Sequence, residues 1–595
     1  MTDSAHIKIK AFLKKGRYLA AYNLAEKSLQ IDPENVNIKQ QYGLALAKLG
    51  LLEKAKSYLW DLYQNYSDDP ETAGILGSVL KGMYKKSRSR NDAILSRDIY
   101  LENYRKNKSY YTGINAASMS VVIGDQKTAS QVAKDITREI NSGSEDFWEQ
   151  VTLGEAYLLL GDKISAFKTY KNARNVIDRD HGMFNSVYSQ LVLLQDHMDI
   201  PSELFKLFKP ASIVVFTGHM IDHPERTSPR FPDSISGLIA EEISRTLETL
   251  DAGIGYSSLA CGADILFVEE MIRRNAEVNL FLPYNMNDFI ESSVSFAGPQ
   301  WMDRFNKILE DHRINYITEE GYFGNDDLHA LLGSVLFGKS ILRAESFGIE
   351  PALLTVLRSA KNKNQVQLGG TEYLVDKWPF KNNVYSIDPG HYIKPVAGTN
   401  IAKEVKNPEP SKKVENRKIR HVLFADVVGY SKLSEDKTPL FVENLLQDIS
   451  ANISTLSHKP EILNTWGDSI FAVYSNIQEM MEFALALQKT LSDTTWDSMV
   501  GDDSHISMRI ALHTGPVFLL DDPVTQRKNA FGNHINRAAR MEPVTMPGSI
   551  YASDQFASVL KIECFRKYEF EYVGIIDLPK EFGKQEMYRI NVLLD

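Results

Sequence analysis

Cysteine is scarce in this chain. Among its 595 residues only Cys261 and Cys564 occur, with no CxxC pair and no cluster of cysteine with histidine. The sequence therefore indicates neither a disulfide framework nor a structural zinc site. We expect a protein of a reducing, cytoplasmic compartment.

An excess of positive charge and long apolar runs are also missing. The chain has 67 Lys and Arg against 77 Asp and Glu, a formal net charge of −10, which argues against a dedicated nucleic-acid surface. No stretch reaches the roughly 18 apolar residues of a membrane span. The first residues, MTDSAHIKIKAFLKKGRYLAAY, lack the apolar core of an export signal. We expect no nucleic-acid partner, no export and no membrane insertion.

The length predicts several domains, because a typical domain has roughly 150 residues. Residues 1–205 have the pattern of successive helices with small residues at a fixed interval. Ala21 and Ala55 are 34 residues apart, as are Gly43 and Gly77. Such an interval is typical of repeated helix pairs, so we predict an all-α solenoid that docks an unknown protein partner.

Small and aromatic residues later in this region, such as Gly154, Ala166 and Tyr170, resemble the tetratricopeptide (TPR) pattern. The segment at 109–125 also resembles the helical repeats beside the TRAF-binding part of certain animal kinases. The alternative is an irregular helical bundle, because the spacing from Gly113 to Gly154 breaks the period.

Residues 210–365 change to an α/β pattern, with an extension to residue 393 left open. Apolar runs rich in β-branched residues predict buried strands at 211–219 and 278–284, and a helix is predicted near 234–250. Alternation of strands and helices predicts a parallel, Rossmann-like sheet.

The motif SSLACGAD, Ser257 to Asp264, is a turn of small residues that leads into a helix. It resembles the SLOG group of Rossmann-like nucleotide-binding domains, which implies a nucleotide-like ligand bound by backbone N–H groups. The alternative is that Gly262 and Ala263 only let the helix pack closely on a strand. The charged, proline-containing residues 394–417 predict a linker.

Residues 418–595 hold the candidate chemistry. A predicted strand stops at Asp426, and EILNTWGDSIFAVY predicts a hairpin that turns at Gly467 and Asp468. If the hairpin pairs with that strand, the two carboxylates converge, and like charges held together favour a bound cation, Mg²⁺ or Mn²⁺. Two such ions suit phosphoryl or nucleotidyl transfer. The alternative is a pair of turn-capping aspartates that never meet.

Further along, RIALHTGPV at 509–517 predicts a strand with a turn, and a helix is predicted to start near Gly532. Asn536 and Arg540 are four residues apart on that helix and share a face. An amide and a guanidinium there would orient a ribose and stabilise charge on a phosphate. The alternative is a solvent-facing helix with ordinary polar residues.

The motifs FADVVGYS, NTWGDSIFAVY, RIALHTGPV and FGNHINRAARME, in this order, resemble the catalytic domain of class III nucleotide cyclases. The resemblance implies an α+β, ferredoxin-like domain over 418–595 that acts as a head-to-tail homodimer with shared active sites. By position it implies that Asp426, the Val427 carbonyl and Asp468 bind two metal ions. It also implies that Asn536 orients the ribose and that Arg540 stabilises the transition state.

Other substrate contacts follow from the same resemblance. Backbone N–H groups at Gly429 and Tyr430 would bind the triphosphate. Lys580 is a candidate for binding its terminal phosphates, although it lies one residue beyond the position at which the family has its phosphate-binding lysine. Asn464 and Asn529 stand where the family reads adenine with Lys and Asp, or guanine with Glu and Cys. Because an amide both donates and accepts, this pair leaves the base open.

The resemblance therefore implies a nucleotide cyclase that converts a nucleoside triphosphate into a 3′,5′-cyclic monophosphate and pyrophosphate. ATP is the first expected substrate. GTP is an alternative, as are UTP and CTP, which would resemble antiphage signalling enzymes. The N-terminal repeats and the central domain are expected to regulate the reaction. A catalytically silent scaffold with the cyclase fold is the alternative from another class.

Overall fold

The computed structural model describes residues 2–176, 181–322, 324–358, 370–393, 417–430, 435, 438–493 and 507–593. The chain divides into two compact units, Met1–Pro210 with Tyr572–Ile576, and Ala211–Glu571 with Asp577–Asp595. Within the described residues, no helix combines the length and apolar composition that crossing a bilayer requires.

In the first unit, the regular structure of the described residues up to 210 is α-helical and most consecutive helices pack on each other, whereas residues 572–576 belong to a strand. The helices are α1 Thr2–Lys14, α2 Tyr18–Ile31, α3 Val36–Lys48, α4 Leu52–Asn65, α5 Pro70–Ser87, α6 Arg90–Asn107, α7 Tyr110–Ile123, α8 Gln126–Glu139, α9 Phe147–Leu159, α10 Lys163–Val176, α11 His181–Gln195 and α12 Ser202–Phe208. Several begin where a short polar side chain accepts a hydrogen bond from the backbone N–H three residues on, as at Asn35, Asp69, Ser89, Asp125 and Asp146.

Glycines at the helix contacts set how closely these helices approach. A Cβ atom added at Gly77 would lie 2.6 Å from the Tyr100 ring, and one at Gly113 would lie 2.7 Å from the Tyr104 ring. Each ring therefore occupies the space that a side chain would need. Gly77 and Gly113 are therefore packing positions for aromatic rings, whereas Gly43 makes room for the Leu59 side chain of the next helix.

The second unit begins with a parallel sheet in the order β4-β3-β2-β1-β5-β6. Its strands are β1 Ser212–Gly218, β2 Ala252–Ser257, β3 Glu277–Leu282, β4 Ile314–Tyr316, β5 Ala352–Val356 and β6 Val384–Ile387. The helices of this central domain are α13 Ser236–Thr249, α14 Ala263–Arg273, α15 Met286–Ser293, α16 Pro299–Asp311, α17 Asp327–Ser346 and α18 Thr371–Lys377. Every residue of β2 and β5 is buried, as expected for strands covered by helices on both faces.

A second, mixed sheet follows, in the order β13-β14-β12-β10-β7-β9-β8, with β11 paired to β10. Its strands are β7 Arg417–Val428, β8 Ile462–Trp466, β9 Ser469–Tyr474, β10 Ser507–Asp522, β11 Arg527–Phe531, β12 Ile550–Ser553, β13 Tyr568–Asp577 and β14 Lys584–Val592. Its helices among the described residues are α19 Thr438–Thr455, α20 Ile477–Asp493, α21 Asn533–Met541 and α22 Asp554–Glu563.

Two expectations about this region need correction. The predicted turn in RIALHTGPV does not form, because β10 runs unbroken over Ser507–Asp522 and pairs with β7 along the whole of Arg417–Val428. This long ladder outweighs the turn preference of Gly515 and Pro516. The last residue of the predicted linker, Arg417, already belongs to β7, and the rest of that linker lies outside the described residues.

The glycine contacts in α5 generate a stability prediction. We expect Gly77→Ala to destabilise the protein by about 1–3 kcal/mol, because its methyl group must displace the Tyr100 ring. Gly82→Ala in the same helix is the control, since a Cβ there would meet no atom of the described residues within 4 Å. The control should be neutral or stabilising by about 0.5–1 kcal/mol. Thermal unfolding followed by helical circular dichroism measures both, and equal effects would contradict this packing.

Candidate active site

Two carboxylates meet at one edge of the mixed sheet. Asp426 lies near the end of β7, and Asp468 lies in the turn between β8 and β9. β7 pairs with β9, with Ala425 opposite Ile470, and the Ser469 hydroxyl donates a hydrogen bond to Asp426 Oδ1. Burial, and then the nearby charge of Asp426, raises the pKa of Asp468. The two carboxylates are therefore close enough to repel each other, rather than capping separate turns.

This pair fits a divalent cation. Mg²⁺ is usually held in proteins by one or two carboxylates together with substrate phosphates, and Asp426 with Asp468 supplies two carboxylates. Val427 directly follows Asp426 in β7 and lies beyond the last residue pair of β7 with β9. No three His, Cys, Asp or Glu side chains in the described part of the chain are grouped so as to hold a metal alone. Substrate oxygens would therefore complete such a site.

A third carboxylate beside this pair was missed by the sequence reasoning. Glu542 directly follows α21, and burial, followed by the charge of Asp426, raises the pKa of Glu542 to about 7. The Arg509 guanidinium, whose Nη1 lies 3.9 Å from Glu542 Oε1, opposes that rise. Arg509 stands opposite Asp426 in the ladder between β7 and β10. A glutamate at a helix end carries no distinctive sequence signal, because such residues are common there.

The chain turns sharply after β7. Gly429 has φ +100°, a conformation that favours glycine, and both Gly429 and Tyr430 are half-buried. The next residues, 431–434, lie outside the described part of the chain. The phosphate-binding role of this turn stays a prediction.

Asn536 and Arg540 lie on α21, which begins one residue after the predicted start. Asn536 is exposed and Arg540 is half-buried. Among the described residues, no hydrogen bond or ion pair joins either side chain to Asp426 or Asp468. The structure of one chain thus brings the two aspartates together without linking them to the two residues of α21.

A buried chain of hydrogen bonds anchors α21 to the sheet. His534 Nδ1 lies 2.8 Å from His513 Nε2, and His513 Nδ1 lies 2.7 Å from Ser553 Oγ. A Cβ at Gly515 would lie 2.1 Å from His534, so glycine is needed there to leave room for the imidazole. Burial lowers the pKa of His534 to about 3 and that of His513 well below its ordinary value. Both rings are therefore neutral at physiological pH.

The two candidate base-reading residues lie on two strands that are not paired with each other. Asn464 is in β8 and Asn529 is in β11, and these strands share an apolar cluster that contains Ile462 and Ala530. Both asparagines are half-buried. Asn529 Oδ1 accepts a hydrogen bond of 2.9 Å from the Ala530 backbone, and the Asn529 side chain also hydrogen-bonds to the Asp522 carboxylate.

Lys580 lies in the turn between β13 and β14. Its side chain is exposed, and its φ of +58° places it in the left-handed region together with Glu581 at +57°. In the described part of the chain, no ion pair joins Lys580 to another predicted site residue. Its phosphate-gripping role stays a prediction.

The SSLACGAD turn leads into α14 as expected. A Cβ added at Gly262 would lie 2.6 Å from the Ile221 backbone nitrogen, so this glycine lets two backbone segments touch. Asp264 Oδ2 accepts a hydrogen bond of 3.2 Å from the Ala260 N–H, and burial raises the pKa of Asp264 to about 7. Close packing therefore accounts for Gly262, and the nucleotide-like ligand of this turn stays a prediction.

The C-terminal part of the chain matches a known family. Residues 413–592 match the family model described as the adenylate and guanylate cyclase catalytic domain. This part of the chain is therefore similar to nucleotide cyclase catalytic domains. Residues 17–120 match the model described as Tetratricopeptide Repeats-Sensor. The two resemblances to a cyclase domain and to TPR repeats are thus confirmed, whereas the SLOG resemblance stays a prediction.

Individual relatives align with part of the chain. It is 32% identical over 149 residues to guanylate cyclase 2G of Mus musculus, which covers 23% of this chain and 14% of that protein. It is 23% identical over 222 residues to guanylate cyclase soluble subunit beta-2 of Homo sapiens, covering 35% of this chain and 33% of that protein. The chain spans a third or less of the length of these two relatives.

Solved structures similar to the cyclase domain include the guanylate cyclase domain of RhGC from Catenaria anguillulae in complex with GTP. That structure is 20% identical, covers 30% of this chain and 97% of its own, and has a TM-score of 0.25. The adenylyl cyclase CyaB from P. aeruginosa is 18% identical, covers 29% of this chain and 94% of its own, and has a TM-score of 0.27.

The buried histidines of the cyclase domain predict a loss of stability in acid. Burial lowers the pKa of His534 and of His421 to about 3, whereas the unfolded chain takes up these protons near pH 6.5. Their stabilising contribution is therefore complete above about pH 6.5 and is lost progressively towards about pH 3, by about 1.4 kcal/mol per pH unit for each ring.

Differential scanning calorimetry at several pH values in this window tests the prediction. The double variant His421→Gln/His534→Gln keeps a hydrogen-bonding group at both positions but cannot take up these protons. We expect its unfolding temperature to depend less steeply on pH than that of the unmodified protein. An equally steep dependence in the variant would contradict the assignment.

Proposed function

We propose that the cyclase domain converts a nucleoside triphosphate into a 3′,5′-cyclic monophosphate and pyrophosphate. The ribose 3′-oxygen forms a bond to the α-phosphorus, its proton is released, and the bond from the α-phosphorus to the bridging oxygen of the pyrophosphate breaks. The single observation that carries the proposal is the approach of Asp426 to Asp468 within a domain that matches the cyclase family model.

The carboxylates of Asp426 and Asp468, with the Val427 carbonyl, are the groups that would hold Mg²⁺ or Mn²⁺. Such ions, when bound, polarise phosphate oxygens and acidify the attacking hydroxyl. In this chain the mutual repulsion of the two carboxylates supports that role, because a cation between them would relieve it. Backbone N–H groups at Gly429 and Tyr430 would orient the triphosphate beside them.

A second copy of the chain would complete each active site. Asn536 and Arg540 have no described contact with the aspartates of their own chain, yet they lie on one helix face with side chains at least partly accessible. We infer that they act on a nucleotide held by the aspartates of a partner copy, where Asn536 orients the ribose and Arg540 stabilises the transition state. The active form is then a homodimer with two shared sites.

The base pocket would be formed by Asn464 and Asn529. Each amide presents both a donor and an acceptor, so the pair suits adenine without a charged contact and also tolerates guanine or a pyrimidine. ATP is the first proposed substrate, and GTP, UTP and CTP are the alternatives. Lys580 is proposed to reach the terminal phosphates.

The remaining regions are proposed to regulate the cyclase domain. The boundaries that we propose are 1–205 for the repeats, 210–365 or 393 for the central domain and 394–416 for a linker. Because Arg417 belongs to β7, the catalytic region would begin there and extend to residue 595. The repeats would dock a protein partner, and the turn at 257–264 would receive a nucleotide-like ligand.

The activity is tested with the purified full chain and each of ATP, GTP, CTP and UTP, with Mg²⁺ or Mn²⁺, using mass spectrometry of the products. We expect one cyclic monophosphate to form, and its base identifies what the two asparagines accept. Asp426→Asn should lower the rate by about a hundredfold or more, because the charge at the metal pair is lost. Asp448→Asn on α19 is the control and should retain the rate. Absence of any cyclic product would favour the silent scaffold.

Sharing of the active site predicts complementation between two inactive variants. Asp426→Asn and Arg540→Ala should each be inactive as homodimers. When they are mixed at equal amounts and allowed to exchange subunits, about half of the dimers are mixed and each holds one intact site, so about a quarter of the original activity should return. Measurement of product formation before and after mixing checks this. Failure to recover activity in dimers shown to be mixed would place all four residues in one chain's site.

A further inference from the structure

Helix α17 of the central domain packs directly on helix α22 of the cyclase domain, within the second unit. A Cβ added at Gly338 would lie 2.2 Å from the Ser558 carbonyl oxygen, so backbone meets backbone at this point. An ion pair of 2.6 Å between Lys561 and Glu345 lies in the same interface. The two domains are thus in close contact beside the residues that support α21.

Lys339 of α17 is the central ionic contact. Its Nζ lies 2.8 Å from Asp554 Oδ2 and 2.7 Å from Glu586 Oε2, and its side chain is only 10% exposed. Burial alone would lower the pKa of Lys339, but the two carboxylates outweigh this effect and raise it. The ammonium is therefore charged and screened little by solvent, unlike an ordinary surface pair.

From Asp554 the contacts continue to the helix that carries the predicted catalytic residues. Gln585 Nε2 donates a hydrogen bond of 2.7 Å to Asp554 Oδ1, and Arg537 Nη1 donates one of 3.0 Å to Gln585 Oε1. Arg537 is the neighbour of Asn536 and lies one helical turn before Arg540 on α21. Lys339 thus reaches the middle of α21 through three consecutive polar contacts.

A second contact holds the first turn of the same helix. Asn533, the first residue of α21, donates a hydrogen bond of 2.9 Å to Glu320 Oε1 in the segment after β4. Glu320 also forms an ion pair with Arg417, the first residue of β7. The central domain therefore contacts α21 at its start directly and at its middle through Asp554.

We propose that the central domain sets the position of α21, with Lys339 and Glu320 as positioning residues for Asn536 and Arg540. The roles of those two residues rest on the proposed function, whereas the coupling between the domains rests on the contacts alone. A change in the central domain would alter the rate of the chemical step without any central-domain residue touching the nucleotide. The physical basis is a continuous set of buried and half-buried polar contacts between two helices.

Loss of the Lys339 charge has a definite consequence. Asp554 and Glu586 then face each other without a cation between them, so their repulsion displaces the carboxylate that orients Gln585. Gln585 no longer fixes the Arg537 guanidinium, and α21 loses its central support. Loss of the Glu320 carboxylate acts directly, because it removes the hydrogen-bond acceptor of Asn533 at the start of α21.

The test compares full-length Lys339→Met and Glu320→Ala with a matched control, Lys561→Met. Lys561 is also a buried lysine in this interface, but its carboxylate partner, Glu345, has no described contact with α21. Hydrogen–deuterium exchange of the peptide covering 533–541 is the primary measurement. We expect exchange to be about tenfold faster in Lys339→Met and Glu320→Ala and unchanged in Lys561→Met. Glu320→Gln keeps an acceptor for Asn533 and should stay near the unmodified protein.

Kinetics give a second measurement with the nucleotide that the chain converts. We expect kcat to fall about tenfold in Lys339→Met with KM within about twofold, because α21 acts in the transition state. Lys561→Met should retain both constants. If the unmodified chain converts no nucleotide, the proposed function fails while the exchange experiment still decides the coupling.

The proposal is overturned by either of two results. One is exchange at 533–541 that is unchanged in both Lys339→Met and Glu320→Ala. The other is equal acceleration in Lys561→Met, which would indicate a general loosening of the interface. If Lys339→Met does not fold, the comparison of Glu320→Ala with Glu320→Gln decides, because both variants lose the ion pair with Arg417 and only the alanine variant also loses the acceptor for Asn533.

Discussion

β7 is paired with β10 along its whole length, from Arg417 opposite Phe518 to Val428 opposite Ser507. Because side chains alternate between the two faces of a strand, a slip of one residue would move every side chain of β7 to the opposite face. At one end of β7, Asp426 would then no longer lie beside Asp468. At the other end, Arg417 would lose its contact with the central domain. A single strand register therefore sets both the carboxylate pair and the contact between the domains.

Helix α21 depends on the same sheet in a different way. On its buried face, His534 contacts the neutral imidazole of His513. Elsewhere on the helix, Arg537 and Asn533 donate hydrogen bonds to Gln585 and Glu320. The helix is thus fixed by its own chain, whereas its accessible face carries the residues proposed to act on a partner's nucleotide. A helix held firmly by its own chain suits this proposed role, because a side chain that stabilises a transition state must already be in position when the reaction occurs.

Local sequence patterns predicted a large part of this arrangement. The end of one strand and a Gly-Asp hairpin turn were enough to bring Asp426 and Asp468 together, and helical spacing was enough to put Asn536 and Arg540 on one face. The contact of Lys339 with Asp554 could not be predicted, because it joins residues more than two hundred positions apart with no local periodicity to reveal it. The continuous β10 was missed for a related reason, since a ladder with a distant strand overrode a local Gly-Pro preference.

The contact of Gly338 with the backbone at Ser558 limits how the two domains of the second unit move. No side chain lies between the two helices at that point, so no change of rotamer can make room for one helix to slide past the other. Any side chain at position 338 would have to push the two helices apart, because it would meet the Ser558 backbone. The spacing between the central domain and the cyclase domain is therefore set at this point by the absence of a single Cβ atom.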